Sequence, residues 1–134
     1  MKLYNNNGEI LIISSGIMVH NSLKAINLLE KNKIRVSLLD LFRVKPLNVE
    51  GIVEILKSFK MVITAEENML IGGIGSSVAE IIADYSINIP LKRIGLPSEY
   101  SEYYGSRDWY HEKYRLTAFD LAETVTNFYE TNNK

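Results

Sequence analysis

The stretch Met61-Val62-Ile63-Thr64-Ala65, then Glu66-Glu67-Asn68-Met69-Leu70-Ile71, then Gly72-Gly73-Ile74-Gly75-Ser76-Ser77 reads as a strand, a turn and the start of a helix. Five residues of high strand propensity end in two acids. Glycines and serines then open an apolar-periodic segment, Ile74 to Tyr85, with Ile74, Val78, Ile81 and Ile82 inward. Acids at a strand's end beside glycines at a helix's start form the kind of place where open α/β sheets gather ligands and partners. The question is whether the rest of the chain builds such a sheet.

It does so on both sides. Upstream, Ile10-Leu11-Ile12-Ile13 is an apolar run without alternation, which predicts a strand covered on both faces. Ser14-Ser15-Gly16 breaks it. Val19, Leu23, Ile26 and Leu29 then make a helical stripe, with Lys24, Asn27 and Lys31 opposite, and Asn32-Lys33 closes the helix. Ile34 to Leu41 is a second strand. Phe42-Arg43-Val44-Lys45-Pro46-Leu47 is a connector, because Pro46 keeps Lys45 out of a helix. Asn48 is the N-cap of a helix with Val49, Ile52, Val53 and Leu56 inward. Downstream, Leu91-Lys92-Arg93-Ile94 is a strand whose charges predict an edge. Ser106 caps a short helix. Thr117 and Asp120 form a capping box for a last helix with Leu121, Val125 and Phe128 inward, which frays from Thr131 to Lys134. Strands alternating with helices give an α/β fold with a mostly parallel sheet.

Composition narrows the classes. The 134 residues suffice for one domain, 1–134, and are too few for two ordinary ones. A 46% apolar and 23% charged make-up is that of a globular protein. Net charge is -1, and no basic run points to nucleic acid. The chain has no cysteine, which excludes disulfides and thiolate chemistry and leans toward the cytoplasm. No apolar run reaches the roughly 18 residues of a membrane span, and the N-terminus lacks a signal peptide's apolar centre.

The chemistry-bearing residues do not assemble into a catalytic set. Gly73-Ile74-Gly75-Ser76-Ser77-Val78 departs from a dinucleotide fingerprint, because valine replaces the third glycine and the turn follows the third strong strand rather than the first. Its other reading is a close start of the helix on the sheet. Glu66 and Glu67 are adjacent and point to opposite faces of a strand, so they do not converge as an acid/base pair. The alternative is a carboxylate bonded to the glycine turn's amides. His20 and His111 share no metal-ligand spacing and read as surface or capping residues. No Gly-x-Ser-x-Gly elbow is present. Tyr100, Tyr103, Tyr104, Trp109, Tyr110 and Tyr114 have two readings: a flap packed on the sheet edge, or a protein contact surface.

Several segments in register resemble one family. They are Ser15-Gly16-Ile17-Met18-Val19-His20, Asp40-Leu41-Phe42-Arg43-Val44-Lys45-Pro46-Leu47, Glu66-Glu67-Asn68 with Gly72-Gly73-Ile74-Gly75-Ser76, and Arg93-Ile94-Gly95-Leu96-Pro97. Gly105-Ser106 and Lys113-Tyr114-Arg115-Leu116-Thr117 complete the series. The order resembles the C-terminal domain of the transketolase family, above all the C-terminal part of split, two-chain transketolases. Deoxyxylulose-phosphate synthase and the beta chains of 2-oxo acid dehydrogenases are relatives.

The resemblance implies a three-layer α/β/α sandwich with a five-stranded mixed sheet in the order 1-3-2-4-5, strand 1 antiparallel. Met1 to Tyr4 would be strand 1, Ile10 to Ser14 strand 2 and Met61 to Ala65 strand 4, with a switch point between strands 2 and 4. Ser15, Gly16, His20, Glu66, Glu67, Asn68, Gly72, Gly73, Gly75 and Ser76 would then share a crevice or interface. The family uses thiamine diphosphate and magnesium to move two-carbon ketol or acyl units. Its metal-binding Gly-Asp-Gly with a following asparagine, and its catalytic glutamate, lie in other domains. The resemblance therefore implies no catalytic, cofactor-binding or metal-binding residue here. It implies a non-catalytic C-terminal domain or subunit that supports assembly with the pyrimidine- and pyrophosphate-binding domains and a homodimer, without nucleic acid or membrane. The rival is a regulatory module holding a small ligand or anion in the crevice between Gly16 and Glu66 to Gly75. On that reading a bulky residue at Gly73 abolishes binding and leaves the fold intact. Arg115 stands where the family often has glycine, at a helix end.

Overall fold

The computed structural model describes residues 1–5 and 7–133, so Asn6 in the predicted first turn and Lys134 in the predicted frayed end lie outside the described residues. The strands are β1 (Lys2–Tyr4), β2 (Ile10–Ser14), β3 (Val36–Asp40), β4 (Met61–Met69) and β5 (Leu91–Leu96). The helices are α1 (Ile17–Lys31), α2 (Val49–Leu56), α3 (Ile74–Asp84), α4 (Arg107–Lys113) and α5 (Ala118–Asn132).

The strands form one sheet in the order β1-β3-β2-β4-β5. β1 runs antiparallel to β3, and the other pairs are parallel. This is the topology the resemblance implies. β2 lies at the centre because all five of its residues are buried, and its alternate side chains serve two cores. Ile10 and Ile12 pack with Met18, Ala25, Ile26 and Leu29 of α1 and with Leu121 and Val125 of α5. Leu11 and Ile13 pack with Ile52 and Leu56 of α2 and with Val78 and Ile81 of α3. A period-two strand thus feeds two period-3.6 helix layers. From β2 the chain leaves through α1 toward β3, and from β4 it leaves through α3 toward β5. The two connections part at the carboxyl ends of β2 and β4.

Two strands and a helix run longer than the sequence predicts. β4 continues past Ala65 through Glu66, Glu67, Asn68 and Met69, and β5 continues past Ile94 to Leu96. Each extension supports the other: Met69 is in register with Leu96, and the Leu70 amide donates to the Leu96 carbonyl at 2.9 Å. A register irregularity between Ala65 and Met69 accommodates the extra length. α5 stays helical through Asn132, with the Thr131 hydroxyl and Asn132 amide donating to the carbonyls of Asn127 and Phe128 (both 2.8 Å).

The helix caps follow the local sequence. Side chains of Asn48, Ser106 and Thr117 accept from the amides of Gly51, Trp109 and Asp120. The C-termini use a device the sequence reading did not identify. α1, α3 and α4 each end with a non-glycine residue in the left-handed region: Lys33 (φ 61°), Ser86 (φ 50°) and Arg115 (φ 57°). At α4 the Leu116 amide donates to the His111 carbonyl (2.7 Å) and the Arg115 amide to the Glu112 carbonyl (3.3 Å). The same crossed pair recurs with Ile34 on Leu29 and Ile87 on Ile82. The next residue is apolar each time, and Ile34, Ile87 and Leu116 pack into the cores. Burial of that residue offsets the strain of a side chain at positive φ.

Arg115 also pairs with Asp120 (3.2 Å) and Glu123, but it is exposed, and such surface pairs contribute little. Arg115→Gly is therefore expected to raise unfolding stability through relief of the left-handed strain. Urea denaturation checks this; a loss of stability would mean the ion pairs dominate.

Candidate functional site

The carboxyl ends of β2 and β4 enclose a crevice of about 280 Å³. Its walls include Ser15, Gly16, Ile17, Val44, Lys45, Glu66, Glu67, Asn68, Gly72, Gly73, Ile74 and Ser77. Of the residues singled out in the sequence, seven therefore line one space: Ser15, Gly16, Glu66, Glu67, Asn68, Gly72 and Gly73. Gly75 and Ser76 sit in the first turn of α3, outside the lining. His20 is exposed on the first turns of α1 and also stays out. Lys45 and Val44 reach the crevice from the β3–α2 connector. The sequence marks that segment as a connector and as part of the family resemblance, but no spacing within it marks the crevice as its destination.

Glu66 is 2% exposed. Its Oε2 accepts from the Ile74 amide at 2.8 Å and its Oε1 from the Gly75 amide at 2.9 Å. α3 thus receives its N-terminal cap from a strand eight residues upstream, where Gly73 supplies no side-chain cap of its own. The helix dipole and two amides face one carboxylate. The glycines are there to admit it. A Cβ on Gly73 would fall 1.9 Å from Glu66 Oε2, and one on Gly75 would fall 2.6 Å from Thr64 Oγ1. In dinucleotide folds the helix N-terminus receives a pyrophosphate; here the chain's own carboxylate takes that place. A bulky residue at Gly73 therefore collides with Glu66 and disturbs the cap as well as the crevice, so it does not probe the crevice alone.

Gly72 and Ser76 are also structural. The Ser76 hydroxyl accepts from the Gly72 amide (3.0 Å) and donates to the Leu70 carbonyl (2.8 Å), and Arg93 donates to both Leu70 O and Ser76 Oγ (3.2 Å each). Ser15 donates to the Leu41 carbonyl at 3.0 Å.

Glu67 points to the opposite face, as adjacency in a strand requires. Its Oε1 accepts from Arg107 Nε at 2.9 Å and lies 2.9 Å from His111 Nε2. His111 is buried, where the sequence predicted a surface or capping residue. Its two ring nitrogens meet Asn21 of α1 and Glu67 of β4, distant elements that no local pattern around His111 reveals. The hydrogen bonds fix its tautomer. Asn21 Nδ2 donates to the Leu116 carbonyl (3.0 Å), so this nitrogen, and not the amide oxygen, also faces His111 Nδ1 (3.2 Å). Nδ1 is then the acceptor, and Nε2 carries the proton donated to Glu67. Asn21, His111 and Glu67 form a chain that ties α1, α4 and β4 together.

This geometry matches a known family. Residues 1–118 match the model described as transketolase, C-terminal domain. The chain belongs to that family. It is 34% identical over 128 residues to 1-deoxy-D-xylulose-5-phosphate synthase of Trichormus variabilis, covering 96% of this chain and 20% of the relative. The corresponding protein of Caldanaerobacter subterraneus subsp. tengcongensis is 32% identical over 122 residues, covering 91% of this chain and 20% of the relative. A solved split gene transketolase, described as an inactive beta4 tetramer, superposes with a TM-score of 0.82 at 32% identity, over 94% of this chain and 41% of that one. The transketolase C-terminal domain thus spans about a fifth of the length of the curated relatives it matches.

Burial raises the Glu66 carboxyl above its ordinary value of 4.5, opposed by the Gly75 and Ile74 amides. Between 4.5 and that raised value the folded chain keeps a proton that the unfolded chain has released. Stability from this group is thus full below pH 4.5 and lost as pH rises through the folded value. Wild type should lose stability relative to Glu66→Gln across that window in urea melts, and a parallel pH dependence would refute it. Glu66→Ala, which strips both amides of their acceptor, should cost about 2 kcal/mol.

Proposed function

We propose that this chain is a non-catalytic C-terminal domain or subunit of a transketolase-like, thiamine-diphosphate-dependent enzyme that transfers two-carbon ketol or acyl units. Its role is assembly: it supports the pyrimidine- and pyrophosphate-binding parts and a homodimer, in the cytoplasm. One observation carries this reading. Both acids at the switch point are engaged in structural bonds, Glu66 in the cap of α3 and Glu67 with Arg107 and His111. An acid or base must reach the proton it moves, and these two hold the fold instead. The inactivity of the similar split transketolase as a beta4 tetramer supports the same reading.

Thiamine diphosphate is held through a divalent metal. Among the described residues, no group of three or more His, Cys, Asp or Glu side chains is placed to hold one. The purified chain is expected to show no ketol transfer and no thermal shift with magnesium-thiamine diphosphate. Adding the remaining part of the enzyme should bring activity. Transferase activity from the chain alone would overturn the proposal.

The crevice favours a second reading, a small anion held by Lys45 and the first turn of α1. Gly16, the N-cap of α1, makes no side-chain cap bond and has φ 61°, where glycine is at ease. Inorganic phosphate at about 100 times its dissociation constant would then stabilise by roughly 2.7 kcal/mol, and Lys45→Glu would remove the shift. No shift with phosphate rules this reading out.

A further inference from the structure

Residues 97–106 link β5 to α4 without regular secondary structure, and every residue from Ser98 to Trp109 is exposed. Yet the segment is pinned from beneath. The Tyr110 hydroxyl donates to the Tyr103 carbonyl (2.6 Å) and lies 3.0 Å from the Ser101 hydroxyl. The Trp109 ring closes on Gly105, where a Cβ would fall 2.5 Å from it. Lys113 Nζ sits 4.6, 4.9 and 5.4 Å from the ring centroids of Tyr103, Trp109 and Tyr114. Trp109 meets Tyr110 edge-on at 5.0 Å, and Tyr110 stacks on Tyr114 at 5.9 Å.

These contacts order the segment and leave two rings outside. Tyr100 is 95% and Tyr104 103% exposed. A flap that served only to cover the sheet edge would turn these rings inward, where their burial stabilises. Held outward on an ordered loop, they are preorganised anchors of the type that dominate protein interfaces. Between the flap and the sheet lies a hole of about 150 Å³ lined largely by Met69, Leu96, Pro97, Tyr100, Tyr110 and Tyr114. It offers room for an apolar side chain from a partner.

Charge selects the partner. Glu99, Glu102, Asp108 and Glu112 are exposed, and among the described residues none is in an ion pair. Arg107 is already bound to Glu67, and Lys113 is held among the rings. A twofold contact between two copies through this face would set these carboxylates against themselves. The chain also spans only a fifth of its relatives, so four fifths of such an enzyme lie outside it.

We infer that the tyrosine flap is the docking face for a basic, apolar-tipped segment of the remaining part of the enzyme, with Tyr100 and Tyr104 as its anchors. This inference rests on the assembly role proposed above. The test places the photoreactive p-benzoylphenylalanine at Tyr104 in cells that make the protein and sequences the crosslinked peptide. The expected peptide carries Lys or Arg and comes from a transketolase-family segment outside this domain. Tyr100→Ala with Tyr104→Ala, and separately Glu99→Lys with Glu102→Lys, should each weaken the purified complex at least about tenfold. The chain's own melting temperature should not move, because these side chains touch little. A crosslink to a second copy, to an unrelated protein or to nothing overturns the inference. So does an active complex indifferent to both double variants, which would leave the assembly role standing. Activity of the chain without any complex would remove that role and this inference together.

Discussion

The Glu66 carboxylate against the first turn of α3 is the contact on which the crevice end of the fold depends. A nearly buried charge needs compensation from fixed donors, and two amides at a helix N-terminus supply it. That single requirement explains several neighbours. Gly73 and Gly75 must lack side chains to let the carboxylate in. β4 must extend past Ala65 to carry Glu66 to the helix, and β5 must lengthen beside it so that the extension is paired. Arg93 and Ser76 then secure the Leu70 carbonyl where β4 gives way to the turn.

The other acid binds the opposite layer. Glu67, Arg107 and His111 join β4 to α4, and Asn21 joins α4 to α1. Adjacent carboxylates on one strand therefore fasten both faces of the sheet at the point where its connections part. In a doubly wound enzyme this is where reactive groups usually stand. Here the same place serves as a clasp between the two helix layers. The clasp also sets the height of α4, and α4 in turn carries the aromatic flap at the carboxyl end of the sheet.

Much of the fold was legible because periodicity reports burial directly. The unbroken run Ile10 to Ile13 marks a central strand, since only a strand covered on both faces lacks alternation. The charges of Lys92 and Arg93 mark an edge for the opposite reason. Asn48, Ser106 and Thr117 declare helix starts because capping is local chemistry. Helix ends were less legible. Lys33, Ser86 and Arg115 stand where glycine is the usual signal, and the signal that remains is the apolar Ile34, Ile87 or Leu116 that follows, whose meaning depends on a core elsewhere in the chain. The length of β4 was hidden likewise, because Glu66 to Met69 have little strand propensity and pair only since Leu96 lies alongside.

By itself the sequence determined most of the succession of strands and helices, the capped starts of α2, α4 and α5 and the opposed directions of Glu66 and Glu67, all of which rest on spacings of a few residues. Its resemblance to one family also implied the strand order. It further offered a carboxylate bonded to the glycine turn's amides, but tertiary structure alone decided that Glu66 is that acid and what Glu67 binds. The partners of Glu66 are amides eight and nine residues on, at a helix start, and those of Glu67 lie forty and forty-four residues away. It alone buried His111 and brought Lys45 to the crevice. A side chain's role at such a site is set by which elements converge on it, and convergence comes from packing across the sheet, which no local pattern contains.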